Sequence, residues 1–176
     1  MKKDIKIAVS GKSGCGNTTV SKIVADRLGL RFVNFTFRSL AQETGISLRD
    51  VLDMASKDDT WDKEVDKRQL ELAREGGGCV LGSRLAIWML EEADLKVYLR
   101  ADARTRAARI LKREGETLES AASFTAERDH QDHLRYLRIY NLDNDDYAFA
   151  DVVIDASNLK PEEIADLIIE AAEKTK

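Results

Sequence analysis

The chain changes from a strand pattern to a helix pattern near its N-terminus, and glycines lie at the change. Residues 5–10 (IKIAVS) form a short run rich in β-branched residues, which predicts a strand. Apolar residues at helical spacing then predict a helix over residues 18–28. Gly11, Gly14 and Gly16 lie between the two. This unit constrains the fold strongly, because a strand that leads through a tight turn into a helix begins the alternation of parallel α/β sheets.

The same alternation continues along the chain. Short strand-like runs lie at residues 31–34, 79–81, 95–99 and 152–155, with helical patterns between them. With 176 residues and 43% hydrophobic content, the chain has room for one sizeable core. We therefore predict one α/β domain over residues 1–176, with a five-stranded parallel sheet and helices on both faces.

Two of the connections are long and helical. Residues 38–76 predict several short helices, with Ser47 and Thr60 as N-caps. Residues 103–140 predict a second helical region that is interrupted near Gly115, and Pro161 suits the first turn of the last helix. The two helical regions are either mobile flaps over one crevice or ordinary packed connections.

Composition limits the classes of partner and compartment. The 28 basic and 32 acidic residues leave a formal net charge of −4, so no broad cationic surface for a nucleic-acid polymer is expected. Cys15 and Cys79 are too few for a disulfide framework and lack metal-ligand spacing. The sequence contains neither a signal-peptide pattern nor an apolar run long enough to span a membrane. We expect a cytoplasmic monomer that binds no membrane.

The glycine-rich junction has the spacing of a phosphate-binding loop, G-x-x-x-x-G-K-[ST]. Glycines let such a loop curl until its amide N–H groups face one anion, and the dipole of the following helix favours negative charge at the same point. Thr18 would place its hydroxyl on a Mg²⁺ ion that bridges the β- and γ-phosphates of ATP. A glycine-rich turn without a ligand is the alternative. The predicted ATP-binding residues are Gly11, Lys12, Ser13, Gly14, Cys15, Gly16, Asn17, Thr18 and Thr19.

The loop departs from this motif at one position, because Asn17 replaces the usual lysine. Lys12 occupies the place where a variant of the motif, K-G-G-x-G-K-[ST], carries an additional lysine. Our hypothesis is that Lys12 supplies the missing charge to the phosphates, while Asn17 donates a neutral amide hydrogen bond. The alternative is that Lys12 is merely solvated.

Arginines follow several of the predicted strands and helices. Phosphoryl transfer needs positive charge around the transferring group and both end groups, because its barrier falls mainly through positioning and electrostatic stabilisation. Arg109 and Arg113 lie four residues apart, so one helix face can present both to the same ligand. Each arginine alone could be a surface charge, but together they form a pattern: Arg38, Arg84, Arg109, Arg113, Arg128 and Arg135.

Four further segments carry a family resemblance: VDKRQLELA, GSRLAIWML, ADLKVYLRA and ERDHQDHLRY. Through them the chain resembles the cytidylate kinases, especially the short archaeal-type branch, over residues 6–157. The resemblance implies a sheet of strand order 2-3-1-4-5, a nucleoside-monophosphate flap at about residues 36–77 and a lid at about residues 114–140. It also implies the reaction of ATP with CMP or dCMP to give ADP and CDP or dCDP.

The resemblance implies roles for individual residues. Arg38 and Arg84 would hold the acceptor phosphate, Arg109 would lie near the donor adenine, and Arg113 would reach the donor phosphates. Arg128 and Asp132 match family residues near the acceptor ribose, and Arg135 matches one that meets the transferring group. The predicted catalytic residues are thus Lys12, Arg113, Arg128 and Arg135.

The chain departs from its family at the third strand. The segment Leu81-Gly82-Ser83-Arg84 lacks the acidic residue that would help to organise Mg²⁺, and Leu85 replaces an aspartate that contacts cytosine in the longer bacterial enzymes. Base recognition must therefore lie elsewhere. Candidates on the predicted flap helix are Asp62, Asp66, Arg68 and Gln69, although part of this group could be a solvated helix face.

Other functions and other chemistry remain as alternatives. A different small-molecule kinase, such as one acting on dephospho-coenzyme A or shikimate, would share the loop and lid but would not explain the VDKRQ and RLAIWML segments. A nucleotide-binding regulator without catalysis is the other alternative, because both the loop lysine and the acidic residue after the third strand are missing. His130 and His133 share a helix face but lack a third ligand, so we predict a surface or lid role rather than a metal site. Cys15 is predicted to be a small loop residue, and Trp88 and Met89 to be core residues.

Overall fold

The computed structural model describes residues 3–114 and 117–175, and it describes only the backbone of residues 112–114. A single five-stranded parallel sheet of order β2-β3-β1-β4-β5 lies at the centre of the described chain. Its strands are β1 (Lys6–Gly11), β2 (Arg31–Val33), β3 (Cys79–Gly82), β4 (Leu95–Arg100) and β5 (Val152–Asp155). The predicted fold class and strand order are confirmed.

Helices fill the connections between the strands. One helix follows β1 and three follow β2: α1 (Asn17–Leu28), α2 (Phe37–Thr44), α3 (Leu48–Lys57) and α4 (Thr60–Arg74). Short α5 (Ala86–Met89) follows β3, two helices follow β4, and the last helix follows β5: α6 (Ala103–Glu114), α7 (Leu118–Tyr140) and α8 (Pro161–Lys174). None of the described helices combines the length and the apolar character that a membrane span requires.

The helix starts test three predictions from the sequence. Ser47 is the N-cap of α3, since its side chain accepts a hydrogen bond from the backbone N–H of Asp50, and Pro161 is the first residue of α8. The prediction of Thr60 as an N-cap is wrong, because α4 already begins at Thr60. The carboxylate of Asp58 accepts from the Thr60 backbone N–H at 2.9 Å and satisfies that donor instead.

The two faces of the sheet bury separate cores. Alternate residues of β1 point to opposite faces: Ile7 and Val9 pack in the core beneath α1 and α8, and Ala8 packs in the core that includes α5. A third, smaller cluster joins α2, α3 and α4 to Phe35, so these three helices pack against one another. The predicted break in the second helical region lies between the end of α6 and the start of α7, while Gly115 itself lies outside the described residues.

Helix α1 passes very close to the end of β3. A Cβ placed on Gly82 would lie 2.5 Å from the hydroxyl oxygen of Ser21, so a larger side chain could not fit without displacement of the helix. This close approach places the first turn of α1 beside the carboxyl ends of β1 and β3. Ligands of open α/β sheets bind in the crevice at this edge.

Candidate active site

A cavity of about 740 Å³ lies at the carboxyl edge of the sheet. Its floor is the loop between β1 and α1, and the segments that follow β2 and β3 form its sides. Residues of α4, α6, α7 and α8 complete the wall. The lining comprises residues 11–20, 34–37 and 82–85, and also Asp62, Val65, Asp66, Gln69, Arg109, Ile110, Arg128, Arg135, Tyr136, Pro161 and Ile164.

All nine residues predicted to bind ATP, residues 11–19, line this cavity together. Gly14 and Gly16 have φ angles of +83° and +102°, in the left-handed region that glycine tolerates. Gly16 is also the N-cap of α1, so the first turn of that helix faces the cavity with its unpaired amides and positive dipole end. This geometry suits a bound phosphate.

Asn17, which replaces the usual lysine, and Lys12, its proposed substitute, both bind other groups of the protein. The side-chain amide of Asn17 donates to the carbonyl of Gly11 at 2.8 Å, across the loop, and its oxygen is buried without a hydrogen-bond partner among the described residues. The ammonium of Lys12 pairs with the carboxylate of Asp145 at 2.5 Å. Asp145 belongs to the segment between α7 and β5.

Two arginines of α6 donate hydrogen bonds to backbone carbonyls of the same loop. Arg109 donates to the carbonyls of Gly14 and Cys15, each at 3.3 Å, and to the carbonyl of Ala156 at 2.6 Å. Arg106 donates to the carbonyl of Ser13 at 3.1 Å. The sequence reasoning missed Arg106, although its position three residues before Arg109 places it on the same helix face.

A nearly buried carboxylate joins two arginines beside the loop. Asp132 is 6% exposed, and one of its oxygens accepts from Arg84 while the other accepts from Arg135 at 2.8 Å. Arg84 also donates to the hydroxyl of Ser13 at 2.9 Å. The site therefore holds two guanidinium groups close to the phosphate loop, with one carboxylate as their common partner.

One face of α4 presents acceptor groups to the cavity. Asp62, Asp66 and Gln69 repeat at helical spacing, and Asp66 accepts from the amide of Gln69 at 3.2 Å and from the hydroxyl of Tyr140 at 2.5 Å. Burial raises the pKa of Asp66 to about 6 and also raises the pKa of Asp62. The amide oxygen of Gln69 is buried and has no hydrogen-bond partner in the described chain.

Comparison with known proteins identifies the family. Residues 6–158 match the model of the cytidylate kinase-like family. The chain belongs to the cytidylate kinase-like family. It is 46% identical to cytidylate kinase 2 of Borreliella burgdorferi, over 97% of this chain and 96% of that protein. It is 44% identical to the cytidylate kinase of Pyrococcus horikoshii, over 92% of this chain and 85% of that protein. The resemblance stated from the sequence is confirmed.

Solved structures of other kinases share the fold. A shikimate kinase from Acinetobacter baumannii, in complex with shikimate, has a TM-score of 0.66 at 18% identity and covers 98% of this chain and 96% of its own. Deoxyadenosine kinase from M. mycoides with bound dATP has a TM-score of 0.57 at 17% identity and covers 97% of this chain and all of its own. At such low identity these likenesses support the fold alone.

The structure brings some of the family-implied residues together and leaves others apart. Arg84, Arg109, Arg128 and Arg135 line the cavity. Arg38 is exposed on α2 and lies outside the cavity lining. Arg68 also lies outside it, and its guanidinium lies within 4 Å of three carboxylates: Glu43 on α2, Glu71 on α4 and Glu75 just after α4. The side chain of Arg113 lies outside the described residues.

The residues that could suggest other chemistry have ordinary surroundings. Trp88 packs edge-on against Tyr98, with ring centroids 6.0 Å apart, beside the core that includes α5. Burial raises the pKa of the Cys15 thiol, which does not favour a reactive thiolate. His133 lies 3.6 Å and 3.7 Å from Asp143 and Asp145, so these three could approach one ion, but both carboxylates are exposed and one already pairs with Lys12.

The oxygen donors beside the loop fit a magnesium ion that arrives with a nucleotide. The hydroxyl of Thr18 lines the cavity and accepts from the side-chain amide of Asn34 at 3.2 Å. The Thr18 hydroxyl and the Asn34 amide are both neutral, and the last residue of β3 is Gly82 rather than an acidic residue. Magnesium keeps several waters and accepts substrate phosphates as ligands, so one protein hydroxyl together with phosphates is a sufficient set.

Proposed function

We propose that this chain transfers the γ-phosphoryl group of ATP to CMP or dCMP, giving ADP and CDP or dCDP. The observation that supports this best is the composition of one cavity. A phosphate loop forms its floor, acceptor groups of α4 form the opposite wall, and arginines lie between them. A donor phosphate and an acceptor nucleotide can therefore meet beside positive charge, which phosphoryl transfer requires.

The donor side is the loop and the residues next to it. Amide groups of residues 11–19 would hold the β- and γ-phosphates of ATP, and Thr18 would hold Mg²⁺, which neutralises phosphate charge when bound. Arg109, Pro161 and Ile164 line the neighbouring part of the cavity and suit the adenine side. Lys12 would leave Asp145 and turn its ammonium to the phosphates, because its four-carbon stem starts inside the loop.

The acceptor side is built on Arg84 and Arg135. Both pair with Asp132, and Arg135 also lies 3.4 Å from Asp62. The phosphate of CMP offers each arginine a stronger partner than a shared carboxylate. Arg84 would hold the acceptor phosphate, while Arg135, together with Arg128, would stabilise the transferring group. The phosphate would then lie beside Ser13, the loop residue that Arg84 already contacts.

The α4 face supports selection of cytosine. The 4-amino group of cytosine is a donor, whereas uracil presents an acceptor at the same position. Ionised Asp66 and the unpartnered amide oxygen of Gln69 are both acceptors, so they favour the amino group. Arg68 is not proposed for this contact, since it lies outside the cavity lining and pairs with Glu43 and Glu71.

We also propose that residues 36–77 act as a flap and residues 114–140 as a lid. The two regions contact each other through side chains: Arg138 donates to Asp59 at 2.6 Å, and Tyr140 donates to Asp66 at 2.5 Å. Closure over both nucleotides would exclude the water that otherwise hydrolyses ATP. The two free cysteines support a cytoplasmic location, and the chain is proposed to act as a monomer.

The test is an ADP-release assay with CMP, dCMP, UMP, AMP and shikimate as acceptors. We expect turnover with CMP and dCMP, and a kcat/KM for UMP at least about tenfold lower, because UMP lacks the donor that the α4 acceptors require. A reaction without any acceptor measures ATP hydrolysis and is the control. Equal rates with UMP would contradict the role of α4, and tight ATP binding without ADP release for any acceptor would refute the proposed reaction.

A further inference from the structure

Hydrogen bonds from two arginines of α6 cover backbone carbonyls of the phosphate loop. Three consecutive carbonyls, those of Ser13, Gly14 and Cys15, accept from the guanidinium groups of Arg106 and Arg109. The carbonyl of Ser13 and the N–H of Gly14 belong to the same peptide group. A hydrogen bond that polarises the carbonyl therefore also strengthens the N–H as a donor.

Arg106 is itself held in place by a partner from another helix. Its guanidinium donates to the carboxylate of Asp129 on α7 at 2.7 Å, and the two side chains are only 11% and 14% exposed. A pair this deeply buried is geometrically restrained, and removal of either partner leaves an uncompensated charge. The guanidinium group that donates to the Ser13 carbonyl is therefore held in one position.

The backbone of α6 also presses on the loop at the same residue. A Cβ on Gly14 would lie 2.8 Å from the carbonyl oxygen of Arg106 and 2.9 Å from its Cβ. The loop and α6 can approach this closely only because residue 14 is glycine. Arg106 thus fixes the loop twice, through backbone contact with Gly14 and through its side chain at Ser13.

We propose that Arg106, anchored by Asp129, is a positioning residue for the donor phosphates. It orients and polarises the peptide group between Ser13 and Gly14, so that this N–H faces the phosphates of ATP in a fixed direction. This inference rests on the proposed function, since it concerns the donor side of the same cavity.

The reason lies in the composition of the loop. Asn17 stands where the motif has its lysine, and its amide already closes the loop onto Gly11. More of the attraction for phosphate must then come from the peptide groups themselves. Arg106 and Arg109 donate to the carbonyls of those groups, and hydrogen bonds linked through one peptide group strengthen one another by about 10–30%.

The test compares donor and acceptor affinity in Arg106→Met, Arg106→Lys and Asp129→Asn. Methionine keeps an unbranched side chain in the buried space without charge or hydrogen bonds. The matched control is Arg74→Met, because Arg74 forms an exposed pair with Glu92 away from the cavity. Titration calorimetry gives the Kd of AMP-PNP, a non-hydrolysable ATP analogue, and the Kd of CMP for each variant, and thermal unfolding reports whether each variant is folded.

For Arg106→Met we expect the Kd of AMP-PNP to rise about tenfold or more, since a charged hydrogen bond to the loop is lost, while the Kd of CMP changes by less than about twofold. Arg106→Lys should recover part of the affinity for AMP-PNP, and Asp129→Asn should cause a smaller loss in the same direction. If Arg106→Met does not fold, the other two variants decide by the same comparison.

Equal loss of both affinities would overturn the inference, because it would indicate a merely structural role. Unchanged affinity for AMP-PNP would overturn it as well. Failure of the proposed function has a different signature: the wild-type protein would bind AMP-PNP through Arg106 but release no ADP with CMP. A wild-type protein that does not bind AMP-PNP would refute both.

Discussion

Asp66 offers a quantitative test, because its surroundings make its ionised form costly. The carboxyl group lies on the cavity face of α4, where burial raises its pKa from 3.8 to about 6. The folded protein therefore holds this proton to a higher pH than the unfolded chain does. Between about pH 4 and pH 6 the folded state binds more protons, so the contribution of Asp66 to stability falls as the pH rises through this window.

The magnitude follows from the pKa difference. A rise from 3.8 to about 6 corresponds to at most about 3 kcal/mol of unfolding free energy, fully present only well below pH 3.8 and lost by about pH 7.5. Most of this difference lies between pH 4 and pH 7.5. Asp66→Asn removes the titration and keeps the shape. Its oxygen can accept from Tyr140, and its new N–H can donate to the unpartnered oxygen of Gln69 once that amide has turned over.

The measurement is urea unfolding of wild type and Asp66→Asn at pH 4 and pH 7.5, followed by the fluorescence of Trp61 and Trp88. We expect the stability of the variant relative to wild type to increase by about 1–3 kcal/mol from the lower to the higher pH. Asp53→Asn, on the exposed face of α3, is the control and should show a difference under about 0.5 kcal/mol. A relative stability that stays constant with pH, or that falls, would refute the reasoning.

Three further predictions concern the loop and the end of β3. Arg84→Met should raise the KM for CMP about tenfold or more and the KM for ATP much less, and steady-state kinetics with each substrate varied would show it. Gly82→Ala should destabilise the fold by about 1–3 kcal/mol in urea unfolding, and Ser21→Ala in the same molecule should recover part of this, because the hydroxyl that the new methyl meets is gone. Lys12→Ala should lower kcat, and adding Asn17→Lys should restore it; no recovery would mean that the two positions do not exchange roles.

The fold was predictable from the sequence to the extent that local signals define it. The first strand, its glycine turn and the next helix are contiguous, so periodicity and glycine spacing were sufficient to predict them. The order of the strands depends on how distant segments pair, and it came from the family resemblance. Thr60 was misassigned because an N-cap depends on which side chain accepts from the first free backbone N–H groups of the helix. Here the carboxylate of Asp58 accepts from the backbone N–H of Thr60.

In the candidate site, too, the residues that are contiguous in sequence were predictable and those that depend on helix packing were not. The phosphate loop is continuous in sequence, and all its predicted residues line the cavity. Arg106 and Asp129 are 23 residues apart, and their contact depends on how α6 packs against α7, which no local pattern states. For α4 the sequence could not separate Arg68 from the other candidates, because Arg68 lies three residues after Val65 and its contact with Glu43 depends on how α2 packs beside α4.

The placement of counter-charges explains how an acidic protein can hold polyphosphate. Three cations at the loop have carboxylate partners that come from α7 or from the segment after it: Asp132 for Arg84, Asp129 for Arg106 and Asp145 for Lys12. The positive charge of these three side chains is therefore local and already paired before a nucleotide arrives. Phosphates must compete with these carboxylates, so each nucleotide that binds alters the contacts of α7. If α7 forms part of the proposed lid, a helix that carries the counter-charges of the phosphate site would respond to occupancy on either side of the cavity. This is the coupling that a two-substrate transfer needs before it excludes water.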